Sequence, residues 1–203
     1  MTNEIKDGTG KGYIAKVDSD NRLHVNSVSR TQSEQAALLS QAYNLSTGTV
    51  TLTSDTKSCI AYMKYTGTDP FVIKEILAIP SESTGGTGRA VINLGKNPTT
   101  GTIIDNAVVM PSIQNRDFSS SELLDANLYK GVDGDTITDG SVFGATSRSN
   151  FDIPITFDAA NIVLRKGNSI SVCITPPAGN TSQTWIVVFV GFVETSTVSG
   201  DLK

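Results

Sequence analysis

From about Leu45 onward, this chain is a succession of short runs in which apolar and polar residues alternate, each cut off by Gly, Pro, Asn or Ser. Thr49-Val50-Thr51-Leu52-Thr53 and Ser169-Ile170-Ser171-Val172-Cys173-Ile174-Thr175 alternate strictly. A period of two sends successive side chains to opposite faces, which suits half-buried strands and gives a helix no apolar stripe. Further strands are expected at Ser58–Thr66, Phe71–Ile79 (ending at Pro80), Arg89–Gly95, Ile153–Phe157 and Ile162–Leu164. In the first of these, Cys59, Ala61, Met63 and Tyr65 fall on one face, and Ile60 and Tyr62 on the other. Ser81–Gly88, Lys96–Pro98, Arg165–Asn168 and Pro176–Ser182 read as turns and loops. Trp185–Val193 is almost continuously apolar, as expected of a strand covered on both faces, one of them a candidate contact between subunits. The chain holds 24 Thr and 22 Ser against 16 Lys+Arg, a poor composition for helices and a good one for strand edges and turns. Aromatics are 6% of its 203 residues, so a core built mainly from Val, Ile and Leu is expected. The fold class is therefore all-β, a jelly-roll-like β-sandwich.

Residues 1–35 have a different character, polar and glycine-spaced. Tyr13-Ile14-Ala15-Lys16-Val17 and Arg22-Leu23-His24-Val25 alternate around the turn residues Asp18-Ser19-Asp20-Asn21, which predicts a β-hairpin. An isolated hairpin is marginal in water and gains stability by lying against something else. Tyr13, Ile14, Val17, Arg22, Leu23, His24 and Val25 are accordingly the candidate partner-binding residues. Ser33–Ala42 is the best helix candidate, with Ser33 able to cap it and a run of Ala, Leu and Gln behind. This divides the chain into an extended N-terminal arm with hairpin and short helix, residues 1–44, and a sandwich, residues 45–203. Between about Asp105 and Gly144 the pattern is less regular. Ser120–Leu124 suggests a helical turn and Asn127–Gly131 a short strand, set in long surface loops of the kind that carry binding.

No catalytic constellation stands out, and no enzyme activity or cofactor is expected. Gly8, Gly10 and Gly12 resemble a phosphate loop superficially, but GxxxxGK[ST] and its strand and helix flanks are missing. The one histidine, His24, would have to serve any Ser/His/Asp mechanism, and no glycine-flanked nucleophile accompanies it. A zinc site would need His24 with Cys59 and Cys173, with no local pair at ligand spacing, so no metal site is expected. Asp133, Asp135 and Asp139 could gather oxygens for Ca²⁺, but the loop lacks the D-x-D-x-D-G order and a bidentate Glu, so a solvated turn is the better reading. Paired glycosidase carboxylates remain open, although no aromatic-rich segment suggests a sugar cleft, and Trp185 reads as core. Cys59 and Cys173 read as two reduced, half-buried thiols. A bond between them would need neighbouring strands with Cα atoms about 5.5 Å apart.

A net charge of −4 and no basic run longer than two residues disfavour nucleic acid as a partner. No apolar run approaches the length of a membrane span. Met1–Gly8 has no apolar stretch, so no secretory signal is read there and assembly in a cytoplasm is expected.

The segment Gly10–Val25, with Ser27-Val28-Ser29 and Ala42-Tyr43-Asn44-Leu45, resembles the opening of a group of tailed-bacteriophage virion proteins. Leu164–Ser169 and Ile174–Thr181 are similar to the ends of proteins of that group. The resemblance covers about the first 55 and the last 45 residues. It implies a structural protein of the virion whose partners are other virion proteins: the major capsid protein, or a neck or tail component. The roles it leaves open are capsid decoration (cement) and a head-fibre, neck or tail-fibre module recognising host surface glycan. A homotrimer is expected.

Overall fold

The computed structural model describes residues 31–81, 83–148 and 155–195. The expected hairpin and its seven candidate binding residues, Tyr13 to Val25, lie outside the described residues. A compact unit runs from Gln32 onward, so the short helix expected in the arm belongs to the sandwich.

That helix, α1 (Gln32–Leu38), is shorter than the Ser33–Ala42 run suggests. Ser40 takes a positive φ of 57°, and the Gln41 N–H donates to the Ala36 carbonyl (2.8 Å) while the Ser40 N–H donates to that of Ala37 (3.2 Å). This is the 6→1 and 5→2 pairing of a Schellman stop, with Ser in the place where Gly is usual. Ser33, the expected cap, sits inside the first turn. The chain then enters β1 (Ala42–Ser46), β2 (Val50–Leu52), β3 (Ser58–Tyr65), β4 (Phe71–Pro80) and β5 (Ala90–Lys96). A one-turn helix α2 (Thr102–Asp105) leads to β6 (Val108–Val109), β7 (Ser112–Asn115), β8 (Ala126–Lys130) and β9 (Ser141–Arg148). Then come β10 (Ile155–Leu164), β11 (Ser169–Thr175) and β12 (Gln183–Val193). The two runs expected before Arg165 are thus joined in β10, and Ser120–Leu124 forms no helical turn.

The strands form two antiparallel sheets packed as a sandwich, as the alternation predicts. The first has the order β10-β4-β12-β1-β7, with β2 also on β12, and the second β6-β8-β3-β11-β5-β9. Pairing is nested: β1 with β12, β3 with β11, β4 with β10, and β5 with β9. The irregular middle segment supplies β7, which extends the first sheet beyond β1, and the short strand expected at Asn127–Gly131 is β8, which extends the second beyond β3. The space between the sheets is filled mostly by Val, Ile and Leu, but its largest fully buried side chains are aromatic, among them Trp185, Tyr65, Phe71 and Phe189.

Two bulges redirect side chains. Ala61 pairs with Val172 but Cys59 with Cys173, leaving Ile60 as an extra residue in β3. Ile60 and Ala61 therefore both enter the core, while Cys59 joins Tyr62 on the outer face, contrary to strict alternation. In β4, Glu75 pairs with Val190 and Ile73 with Gly191, leaving Lys74 as the extra residue. Gly191 is obligatory there, because a Cβ would meet the Val72 carbonyl and the Phe71 ring.

The reduced-thiol expectation is corrected. Cys59 and Cys173 are buried, lie opposite each other on neighbouring strands, and are joined by a disulfide, with Cα atoms 3.8 Å apart. The bulge made this arrangement unreadable, since it alone brings Cys59 into register with Cys173.

Candidate partner-binding surface

The outer face of the second sheet is covered over β3, β8 and β11 by its own loops. Tyr62 stacks on Tyr129 with ring centroids 5.8 Å apart, and with the disulfide they form a cluster packed against Ile103, Ile104 and Ile137 from the crossing segments 97–105 and 131–140. Gly101 (φ 144°) lies so close to Thr136 and Ile137 that a Cβ would collide with their backbone. Three carboxylates lace these segments in place. Asp133 accepts from the Thr53 hydroxyl (2.6 Å) and N–H (3.2 Å). Asp135 accepts from the Thr102 hydroxyl (2.9 Å) and the Val132 N–H (2.8 Å). Asp139 accepts from the Thr99 and Thr100 N–H groups, each at 2.9 Å, and from the Thr99 hydroxyl. The Thr99 hydroxyl, then the Thr100 and Thr99 amides, pull the Asp139 carboxyl down to about 2.

The Asp133–Asp139 loop is thus largely solvent-exposed, as a solvated turn should be, with only Asp135 buried, and it is braced by its carboxylates. Its carboxylates point to separate donors, and among the described residues no group of three His, Cys, Asp or Glu could hold a metal ion.

Among the described residues, the most exposed large apolar side chains lie at the other end of the middle segment, in the loop from Arg116 to Asp125 between β7 and β8. Phe118 is 97% exposed and Leu123 71%. Neither exposure comes from an unbraced loop. Asp117 accepts from the Ser119 hydroxyl (2.6 Å) and N–H (3.0 Å) and from the Ser40 hydroxyl (2.8 Å). The Ser119 and Ser40 hydroxyls hold its carboxyl below the usual range. Asn115 accepts from the Asp117 N–H (2.9 Å) and donates to the Ser40 carbonyl (2.7 Å). Leu124, next to Leu123, turns inward and is buried in the core. The loop is therefore tied by Ser40 to the C-terminal end of α1, where Leu38 (61%) and Leu39 (44%) are also exposed. A hollow of about 220 Å³ lies against Phe118 and Leu123, floored by Ile113 and Asn115.

No family model and no curated protein matches this chain.

Beside the apolar tip, a recess is lined by Tyr43, Tyr65, Asp69, Glu122 and Asp125. Burial, then Glu122 and Asp125, raises the Tyr43 hydroxyl. Burial, then Asp125 and Asp69, pushes that of Tyr65 up to about 12. Both tyrosines stay neutral donors, the Tyr65 hydroxyl to the Asp69 carbonyl (2.6 Å) and that of Tyr43 to the Ser40 carbonyl (3.2 Å). The surface thus combines an exposed aromatic tip with an acidic flank. Sequence reading did not single out Phe118 as a binding candidate, because one aromatic residue in a polar stretch carries no periodic signal.

Within one copy, and among the described residues, only the inner face of Trp185–Val190 is fully buried. In β12, Trp185, Val187 and Phe189 are buried, whereas Ile186, Val188 and Val190 on the outer face are half-buried. Of the outward residues Phe192 alone is buried, in a cluster with Ala36 of α1, Ala42 and Val72.

Proposed function

We propose that this chain is a structural protein of a tailed-bacteriophage particle, a jelly-roll module that decorates the outside of the head and acts by adhesion rather than catalysis. The nested pairing β1/β12, β3/β11, β4/β10 and β5/β9 supports the jelly-roll reading, because such a fold is one antiparallel ribbon rolled into two sheets. The resemblance of the chain's two ends to virion proteins supports the setting. The observation that carries adhesion is Phe118, 97% exposed on a braced loop bonded to the helix that follows the arm. Burying such a side chain in a partner contributes about 1.5–3 kcal/mol per copy, and many copies on a lattice act together. In this reading the arm, through Tyr13, Ile14, Val17, Arg22, Leu23, His24 and Val25, and the Phe118 loop engage a neighbouring virion protein. The protein assembles in the host cytoplasm as a homotrimer.

The second reading is a fibre or neck module that binds host glycan, with Phe118 as the stacking platform. Particles lacking the protein separate the two. If it is a cement, those heads lose heat tolerance and adsorb normally. Stable heads that fail to adsorb would establish the glycan reading instead, and particles unchanged in both respects would overturn both.

A further inference from the structure

We propose that the Cys59–Cys173 disulfide is a site of thiol exchange entered from one side only. A small thiol reaches the Cys173 sulfur through a hollow under the 137–142 loop and becomes linked to it as a mixed disulfide.

Strand order sets up the approach. A thiolate attacks a disulfide sulfur in line with the bond it breaks, from the side away from the leaving sulfur. β11 lies between β3, which carries Cys59, and β5. The side of Cys173 away from Cys59 is therefore that of β5, where Asn93 pairs with Cys173 and Gly95 with Ser171. A hollow of about 160 Å³ lies there, lined by Cys173, Ser171, Asn93 and Gly95 together with the loop from Ile137 to Val142 and the exposed Lys57. Gly95 helps to keep it open, because a Cβ there would run into the Ser171 hydroxyl. Cys59 does not line the hollow. On the β8 side, Gly131 backs onto the Cys59 carbonyl so closely that a Cβ would collide with it, and Ile103 fills the cluster around the bond.

The lining suits a thiolate. Ser171 is 1% exposed, and its hydroxyl has no hydrogen-bond partner among the described residues. A buried hydroxyl without a partner is costly, and this one is free to donate to a sulfur anion. Lys57 adds positive charge. Asp139, the carboxylate among the lining residues, is already engaged by the Thr99 and Thr100 amides. In the exchange, the incoming sulfur bonds to Cys173 Sγ and the S–S bond breaks. Cys59 leaves with the electron pair and takes up the proton that the incoming thiol has lost. A second thiol then attacks the sulfur of the attached group, releasing the Cys173 thiol and a small disulfide. The small thiol is oxidised and the protein's disulfide reduced.

The test treats the folded, full-length protein with 2-mercaptoethanol, quenches it in acid and maps the adduct by peptide mass. The mixed disulfide is expected on Cys173 in at least about tenfold excess over Cys59. Asn93→Phe, which fills the approach from β5, should slow the reaction at least about tenfold with little change in denaturant midpoint. An adduct shared equally or found mainly on Cys59, or a rate that a folded Asn93→Phe variant leaves unchanged, overturns the proposal. Where return of Cys59 keeps the adduct from accumulating, or Asn93→Phe fails to fold, the single variants Cys59→Ser and Cys173→Ser are compared, since both lack the bond alike. Methyl methanethiosulfonate should then modify Cys173 at least about tenfold faster than Cys59. Equal rates in the two overturn the one-sided entry.

Discussion

Cys59 and Cys173 face each other across the β3–β11 pair, beside the Ile60 bulge, and their sulfurs are bonded. The bond ties residues 114 positions apart in sequence, so it removes much freedom from the unfolded chain. Cys59→Ser with Cys173→Ser is expected to cost about 2–4 kcal/mol of unfolding free energy, measured as a lower denaturant midpoint. Thiol titration of the unfolded, unreduced protein should find no free cysteine. Two thiols in that assay would show the bond to be absent.

Trp185 is fully buried, yet among the described residues its indole N–H has no acceptor. Its role is volume and not hydrogen bonding. Trp185→Ala should destabilise by about 3–5 kcal/mol. Trp185→Phe should cost less than half as much, since it removes an unpaired polar group along with some volume. Equal losses for the two variants, read from thermal or denaturant melts, would mean that the N–H is paired after all.

Asp139 predicts an acid response in the cap over the second sheet. Its folded pKa of about 2 lies below the ordinary 3.8. A depressed carboxylate contributes stability that is fully present above its unfolded pKa and is lost as pH falls through the folded value. The Thr99 and Thr100 amides should therefore lose hydrogen-exchange protection, corrected for the intrinsic pH dependence of exchange, between about pH 4 and pH 2. Asp139→Asn should show that lowered protection already at neutral pH. Unchanged protection in Asp139→Asn would remove the carboxylate from this role.

Phe118 separates adhesion from stability. With 97% of its surface exposed, Phe118→Ser should change unfolding free energy by no more than about 0.5 kcal/mol. The same variant should be incorporated poorly into particles, measured as copies per head. Full incorporation would take Phe118 out of the contact. A large loss of stability would show that the residue packs within the protein.

Strands with strict alternation, such as Ser169–Thr175, were legible because the period of two survives intact in β11. Ser58–Thr66 was legible as a strand but not in its faces, because an inserted residue leaves no mark in an apolar run and Ile60 reads like any strand residue. Two strands of the middle segment, β6 and β7, escaped for the opposite reason. Ser112–Asn115 is mostly polar and Val108–Val109 has two residues, so their strand geometry comes from the edges of β1 and β8 that they join and not from their own propensity. The end of α1 was hidden because Ser40 adopts a backbone region that serine seldom enters, while the alanines around it favour helix.

The nested pairing also governs how the chain must be made. β12 lies between β4 and β1 in the middle of the first sheet, although it is the last of the described strands. Until it has been synthesised, β4 and β1 each present an unpaired edge, and the halves of the ribbon wait for partners far away in sequence. Contacts of such long range make folding slow and leave nascent chains open to edge-to-edge association. A chain interrupted before Gln183 would leave the ribosome as a sticky fragment, so ribosome stalling and premature stops late in the message would be as harmful to production as errors near its start.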